Sequence, residues 1–192
     1  MTTFVLATHN VHKVEELRRI LGERLGHHEL IGYDGPEPIE DGDSFEANAL
    51  IKARAANIHT GLPSIADDSG ISVRALGGAP GIHSARYAGT RDDVDNYTLL
   101  LRELEGATDR AADFVCAAAL VDGENEFVVR GVWPGTVLEA PSGAHGFGYD
   151  PVFRPEGRAT SSAELTPDEK NAISHRARAF GSLVERLRTL YG

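Results

Sequence analysis

The chain has 192 residues, of which 41% are hydrophobic and 25% are charged, a composition typical of a globular protein. Its net charge of -10 argues against a nucleic-acid polymer as the main ligand, because such a ligand calls for a broad basic face. The sequence contains no apolar run of about 18 residues, so no membrane span is predicted. Its first residues lack the basic segment and apolar run that are typical of a signal peptide. With one cysteine no internal disulfide can form, and we expect a cytoplasmic protein.

Alternating helices and strands make up the predicted fold. β-branched and apolar runs predict strands, and apolar residues repeated at intervals of three and four predict helices. In chain order, the predicted elements are a strand at residues 3–8, a helix from Asn10 to a stop at Gly26, a helix at 44–59, a strand at 63–66 that can continue at 71–73, a helix at 92–105, strands at 112–121 and 126–133 joined by a hairpin turn, a glycine-rich loop at 144–150 and a helical C-terminus. This order predicts an α/β protein with a mixed central β-sheet flanked by helices, and a single domain over residues 1–192.

Capping residues mark the predicted helix boundaries. Asp43 and Glu46 have the spacing of a capping box, although the first residue of such a box is usually Ser or Thr. Thr166 makes a stronger start, because Pro follows it at the first helical position and Glu at the third. Further on we predict a break, with Ser174 as the N-cap of a fresh helix that begins at His175.

The turn after the first strand has the features of a phosphate site. A helix N-terminus presents free N–H groups and a partial positive charge, to which hydroxyl, amide and ammonium side chains add here. The sequence GxxxxGK[ST] is absent, so this is not a P-loop. A capped turn with a surface lysine stays the alternative for this stretch alone. The candidate residues are Thr8, His9, Asn10, Val11, His12 and Lys13.

Residues 65–70 (IADDSG) place two carboxylates side by side at the end of a predicted strand. Because successive strand residues point to opposite sides, Asp67 and Asp68 should face different surroundings. Carboxylates at a strand end suit Mg²⁺, and the one that faces the ligand could also orient or deprotonate water. Ser69 and Gly70 would let the backbone approach a ligand closely. The alternative is an Asx-type turn, and strand alternation does not tell which carboxylate faces the site.

Residues 146–150 (GFGYD) combine a loose backbone, two aromatic rings and a carboxylate. An aromatic face can stack on a nucleobase, and Asp150 can accept hydrogen bonds from a base or a ribose.

A basic set follows at Lys170, His175 and Arg176, of which the first two lie about 140° apart on an unbroken helix and converge only if the helix breaks. A plain loop and a solvated basic face are the alternatives. Taken jointly, the four stretches predict a nucleotide site that uses Mg²⁺.

The same stretches resemble the inosine triphosphatase family over nearly the whole chain. The matching text is LATHNVHK, FEANALIKA, IADDSGISVRALGGAPGIHSARYAG, WPG, GFGYDPVF and AELTPDEKNAISHRARA. The resemblance implies an elongated α/β fold with a cleft between two lobes, and a homodimer. It also implies Mg²⁺-dependent hydrolysis of ITP, dITP and XTP to the monophosphate and pyrophosphate, which cleanses the nucleotide pool.

By position, the resemblance also implies roles for individual residues. Residues 8–13 would hold the phosphates, and Ser69 would contact the substrate. Asp68 would be the catalytic carboxylate and a metal ligand. The nucleotide, including its base, would be bound by Phe147, Gly148, Tyr149, Asp150, Lys170, His175 and Arg176.

Two departures from the family pattern concern the second metal ligand. Relatives often carry a Glu three residues before the glycine that precedes the second helix, whereas this chain has Ile39 there, and we predict Glu40 in its place. Relatives also favour F-x-E-N-A, whereas here Glu46 comes one place early and Ala47 follows it. One place is about 100° around a helix, so another group must serve if that Glu assists the metal in relatives.

Three other functions stay open. A Maf-like nucleotide pyrophosphatase would have a related architecture and act on other nucleotides. A non-catalytic nucleotide sensor would bind tightly without turnover. A general Mg²⁺ phosphatase would release orthophosphate in place of pyrophosphate.

Overall fold

The computed structural model describes the backbone of residues 1–192 and every side chain apart from that of Glu23. The strands are β1 (Thr3–Leu6), β2 (Glu29–Gly32), β3 (Ser64–Val73), β4 (Ala111–Asp122), β5 (Asn125–Val137) and β6 (Phe153–Pro155). They form one sheet in the order β2-β1-β3-β4-β5-β6. β1 pairs in parallel with β2 and β3, whereas β5 and β6 are antiparallel. The predicted mixed sheet is therefore confirmed.

Five α-helices and five short 3₁₀ turns complete the described part of the chain. The helices are α1 (Val11–Leu21), α2 (Phe45–Thr60), α3 (Asp93–Glu103), α4 (Pro167–Ile173) and α5 (His175–Tyr191). The 3₁₀ turns are Gly22–Leu25, Arg74–Leu76, Gly81–Arg86, Asp150–Val152 and Ser162–Glu164. Among the described residues, no helix is both long and apolar enough to cross a membrane.

Two predicted boundaries and one missed strand in the N-terminal third need correction. α1 ends at Leu21 and not at Gly26, because Gly22 takes a φ of 25°, which favours glycine, and a 3₁₀ turn replaces the last predicted turn. The cap of α2 is Ser44 and not Asp43, since the Ser44 hydroxyl accepts the N–H of the third helical residue at 3.2 Å. β2 was not predicted from the sequence, because a half-exposed edge strand of four residues has no clear alternation.

The predicted break near the C-terminus is confirmed. Thr166 and Glu169 form a reciprocal capping box that starts α4. α4 ends before Ser174, whose φ of -67° and ψ of 165° are extended rather than helical. A fresh helix then begins at His175.

The chain divides into two compact units, each with its own hydrophobic core. Unit 1 comprises Met1–Asp68, Cys116–Gly131 and Arg176–Gly192, and unit 2 comprises Ser69–Val115 and Val132–His175. The core of unit 1 includes Phe4, Leu6, Leu17, Leu21, Ile65, Cys116, Leu120, Phe180 and Leu183. The core of unit 2 includes Ile71, Val73, Leu100, Leu104, Phe114, Trp133 and Phe153.

Candidate functional site

The turn that joins β1 to α1 carries the first group of candidate residues, in unit 1. The Asn10 side chain accepts the N–H of Lys13 at 3.1 Å, which confirms the predicted cap. The Thr8 hydroxyl accepts the N–H of Asn10 at 3.2 Å. His9 contacts Glu37 at 3.2 Å. The solvent-exposed members of the turn are His9, Asn10, Val11 and His12.

Asp67 lies at the centre of a buried charge cluster in unit 1. Its carboxylate is 1% exposed and accepts the Lys13 ammonium at 2.9 Å. The same oxygen lies 3.5 Å from the guanidinium of Arg176, which also donates to Glu16 at 3.0 Å. Its neighbour Cys116, in β4, is fully buried, and burial raises the pKa of that thiol.

Asp68 faces a different set of side chains, as strand alternation predicts. Asn48 donates to its Oδ2 at 3.3 Å, and the Lys52 ammonium lies 3.3 Å from its Oδ1. The same ammonium lies 3.1 Å from the Glu40 carboxylate. Asn48 also accepts the N–H of Gly42 at 2.9 Å, so α2 fixes both Asp68 and the acidic loop.

The two adjacent carboxylates differ in the direction of their pKa shift. Burial alone would raise the pKa of Asp67, but the charges of Lys13, Arg176 and Lys52 outweigh it and lower that pKa well below its usual range. Burial raises the pKa of Asp68, and Lys52 and Lys13 offset this only in part. Asp67 is therefore a stable anion, whereas Asp68 is the better proton acceptor of the pair.

Asn48 and Lys52 are site residues that the sequence reasoning missed. They lie four residues apart on α2, which puts both on one face of the helix. A polar pair at this spacing, just before a strand that carries two adjacent carboxylates, was the available signal. Gly42 belongs to the same arrangement, because a Cβ there would lie 2.6 Å from Oδ1 of the Asn48 side chain.

A divalent cation fits the carboxylates of Asp68 and Glu40. Both lie within 3.3 Å of one ammonium nitrogen, that of Lys52, so they already converge on a single positive charge. Mg²⁺ is held in nucleotide enzymes by one or two carboxylates and by substrate phosphates rather than by a protein cage. The described residues contain no group of three or more His, Cys, Asp or Glu side chains that could hold a metal ion by itself.

Glu46, which stands one place early relative to the family pattern, is not part of the Asp68–Glu40 pair. Glu46 accepts from Arg130 at 3.1 Å, and both side chains are partly exposed. Ala47, at the position where relatives favour Glu, has no side-chain group that could bind a metal.

Ser69 follows Asp68 in β3 and is half-buried, and Gly70 must be glycine because a Cβ there would collide with Ser84.

In unit 2, the glycine-rich loop is organised by the Asp150 carboxylate. This carboxylate is 2% exposed and accepts the Phe147 N–H at 2.9 Å, the Ser162 hydroxyl at 2.8 Å and the Lys170 ammonium at 2.6 Å. The ammonium also lies 5.0 Å from the Phe147 ring centroid, a cation–π contact. Gly146, with a φ of 76°, admits the carboxylate because a Cβ would collide with it.

The other members of this loop are also held within unit 2. The Gly148 N–H donates to Asp93 at 2.7 Å. The Tyr149 hydroxyl donates to the carbonyl of Ser84 at 2.8 Å, and burial raises the pKa of Tyr149. The loop therefore presents a fixed backbone and the Phe147 ring.

His175, at the first position after the helix break, is 2% exposed. Its ring stacks on Phe114 at 4.8 Å between centroids with 10° between planes, and Trp133 lies nearly parallel at 6.3 Å. The break thus places a histidine in the aromatic core of unit 2. Arg176, the next residue, belongs to the buried charge cluster of unit 1.

Comparison with known proteins places the chain in a family. The profile of the Ham1 family matches residues 4–186. The chain belongs to the Ham1 family. A curated relative from Leifsonia xyli subsp. xyli, named dITP/XTP pyrophosphatase, is 54% identical over 194 residues, covering 99% of this chain and 98% of the relative. A relative of the same name from Streptomyces coelicolor is 50% identical and covers both chains in full (100%).

A solved structure extends the family assignment to three dimensions. The HAM1 protein from Coxiella burnetii is 40% identical to this Ham1-family chain and superposes with a TM-score of 0.90. The match covers 98% of this chain and 100% of that one. The family expected from the sequence motifs and the mixed sheet flanked by helices are both confirmed.

Proposed function

We propose that this Ham1-family chain hydrolyses dITP, ITP and XTP to the monophosphate and pyrophosphate in a Mg²⁺-dependent reaction. The carrying observation is the Asp67–Asp68 pair, in which one carboxylate is a buried anion held by Lys13 and the other, of raised pKa, faces Asn48, Lys52 and Glu40. The names of relatives about 50% identical over their full length support the same reaction.

In the proposed mechanism, Asp68 accepts a proton from the water that attacks the α-phosphorus. The new P–O bond forms as the bond to the β-phosphate oxygen breaks, and pyrophosphate leaves. The capped turn at residues 8–13 binds phosphate oxygens at the N-terminus of α1, and Lys13 supplies positive charge. Because Asp67 already holds the Lys13 ammonium at 2.9 Å, that charge is oriented before substrate binds.

Asp68 and Glu40 would hold the metal ion. When bound, Mg²⁺ would polarise the phosphoryl group and neutralise part of the phosphate charge. Asn48 would keep both ligands in place, since it donates to Asp68 and accepts from the backbone of the Glu40 loop.

The nucleoside is assigned to the remaining candidate residues. Phe147 offers a ring face for the base, and Asp150 fixes that ring and Lys170. Ser69, Gly148, Tyr149, His175 and Arg176 complete the proposed contacts. Hypoxanthine and xanthine share a 6-oxo group and a protonated N1, as does guanine, so guanine must be disfavoured at its 2-amino group. An unpaired buried donor costs about 1–3 kcal/mol, roughly 10- to 100-fold in selectivity.

The test is a product assay with dITP, XTP, GTP and ATP in excess Mg²⁺ that resolves pyrophosphate from orthophosphate. We expect pyrophosphate from dITP and XTP, little turnover of GTP or ATP, and loss of activity in Asp68→Asn. The matched control is Asp43→Asn, which removes an exposed carboxylate of the loop before α2 and should leave activity unchanged.

Other products would contradict the proposal in recognisable ways. Orthophosphate would indicate a general phosphatase, and preference for other bases would indicate a Maf-like pyrophosphatase. Tight binding without turnover would indicate a nucleotide sensor. The homodimer and the cytoplasmic location stay predictions, which sedimentation and cell fractionation would check.

A further inference from the structure

Lys52 lies where two candidate metal ligands converge. Its ammonium nitrogen is 3.1 Å from Glu40 Oε2 and 3.3 Å from Asp68 Oδ1. The Lys52 side chain is 14% exposed, so it is directed into the cluster rather than into solvent. It projects from α2 one turn after Asn48, which fixes the same aspartate from its other oxygen.

The neighbouring cations have other partners. Lys13 donates to Asp67 at 2.9 Å, and Arg176 divides its contacts between Asp67 and Glu16. In the part of the chain that the structure describes, Lys52 is the cationic side chain that contacts both Asp68 and Glu40. Lys52 therefore supplies the direct ionic contact to both carboxylates.

We propose that, in the nucleotide-free protein, Lys52 occupies the place between Asp68 and Glu40 that a divalent cation takes in the loaded enzyme. The inference rests on the proposed function, because that function assigns the metal to these two carboxylates. The ammonium and the cation cannot share the site, since like charges a few ångströms apart repel, and the Lys52 and Asp68 side chains are largely shielded from water. Metal binding must therefore displace the ammonium.

The consequence is an order of binding. The free protein has low affinity for the bare ion, because two carboxylates that already hold an ammonium attract a second cation weakly. A nucleoside triphosphate brings several negative charges, which compensate both the ion and the displaced ammonium. The metal is then loaded together with the nucleotide, and the carboxylates do not hold a metal ion between turnovers.

The test measures Mn²⁺ affinity of the full chain without nucleotide, by the electron paramagnetic resonance signal of free Mn²⁺. Lys52→Met removes the ammonium at similar volume and should bind Mn²⁺ about 10- to 100-fold more tightly than the parent. Lys52→Arg keeps a cation in place and should stay weak. Arg130→Met, which removes one positive charge from the exposed Glu46 pair, controls for net charge and should match the parent.

The outcomes separate the inference from the function on which it rests. Adding Glu40→Gln to Lys52→Met should cancel the gain if the ion lies between the proposed ligands. Mn²⁺ affinity of Lys52→Met within about twofold of the parent would overturn the inference, and so would an equal gain in Arg130→Met. If Lys52→Met is unfolded without metal, Lys52→Gln serves the same titration. Failure of the parent to release pyrophosphate from dITP or XTP would instead refute the proposed function, whatever the titration gives.

Discussion

Replacing Asp67 with Asn should destabilise the fold, whereas the same change at Asp68 should not. The Asp67 carboxylate is 1% exposed, lies 2.9 Å from the Lys13 ammonium and lies 3.5 Å from the Arg176 guanidinium. Neutralising it leaves two largely buried cations with less compensation. Asp68 is different, because burial raises its pKa, so its ionised form costs folding free energy that an amide does not.

The size of the Asp67 effect follows from the cluster. Removing one partner of a buried ion pair costs about 3–5 kcal/mol of unfolding free energy. Glu16 still accepts from Arg176 at 3.0 Å in the variant, which favours the lower end, about 3 kcal/mol. For a chain of this length, about 1 kcal/mol lowers the melting temperature by about 2–4 °C, so we expect a loss of about 6–12 °C.

The pH dependence has a definite sign for each carboxylate. The pKa of Asp67 is lowered in the folded state. Its ionised carboxylate therefore contributes to folding stability above the unfolded-state pKa of about 3.9, and this contribution is lost as pH falls towards the folded-state pKa. The deficit of Asp67→Asn should thus be constant near neutrality and shrink below about pH 4. The pKa of Asp68 is raised, so its ionisation lowers stability as pH rises above about 3.9, and Asp68→Asn should melt no lower than the parent at pH 7.

The assay is thermal and urea unfolding of the parent and both variants, with a chelator present and pH as the variable. Equal stability of the two variants at pH 7 would refute the reasoning. A deficit of Asp67→Asn that grows in acid would also refute it, because that result requires a raised rather than a lowered pKa at Asp67.

Three further changes test separate parts of the structure. Gly146→Ala should raise KM for dITP, because its methyl would displace Asp150 and with it the loop. Expressed as free energy, this loss should exceed the loss of unfolding free energy, and unchanged kinetics would contradict the prediction. Glu46→Gln should change the unfolding free energy by less than about 0.5 kcal/mol, because its pair with Arg130 is partly exposed, and urea unfolding checks it. Phe180→Ala, fully buried in unit 1, should cost about 3–5 kcal/mol by the same measurement.

Local signals made the helix boundaries near the C-terminus predictable. The capping box of Thr166 and Glu169 acts within one turn, and the break at Ser174 follows from a residue that prefers the cap to the helix interior. The cap of α1 at Asn10 is equally local. The predicted cap of α2 was wrong because two residues that can cap a helix stand side by side. The hydroxyl of Ser44, and not the carboxylate of the residue before it, accepts the backbone N–H.

Residues whose roles depend on distant partners were not predictable in the same way. β2 is a strand because it pairs with β1, and its own four residues carry little strand signal. Lys52 and Asn48 look like ordinary polar residues of a helix until β3 brings Asp68 against them. Asp150 was assigned to the ligand by its chemistry, and the structure adds that its oxygens already accept from Phe147 and other groups of its own unit.

The adjacency of Asp67 and Asp68 follows from the geometry of a strand. Consecutive strand residues point to opposite sides, so each carboxylate meets its own cations and the two need not share one. The pairing of Asp67 with Lys13 and Arg176 joins α1 and the start of α5 to β3 and stabilises unit 1. Burial raises the pKa of Asp68, and Lys52 and Lys13 offset this only in part. Such a cost persists where the group is needed for chemistry, because substrate and metal can recover it and the free protein cannot. Asp67 thus anchors β3 to α1 and α5, next to the carboxylate that we propose to act in catalysis.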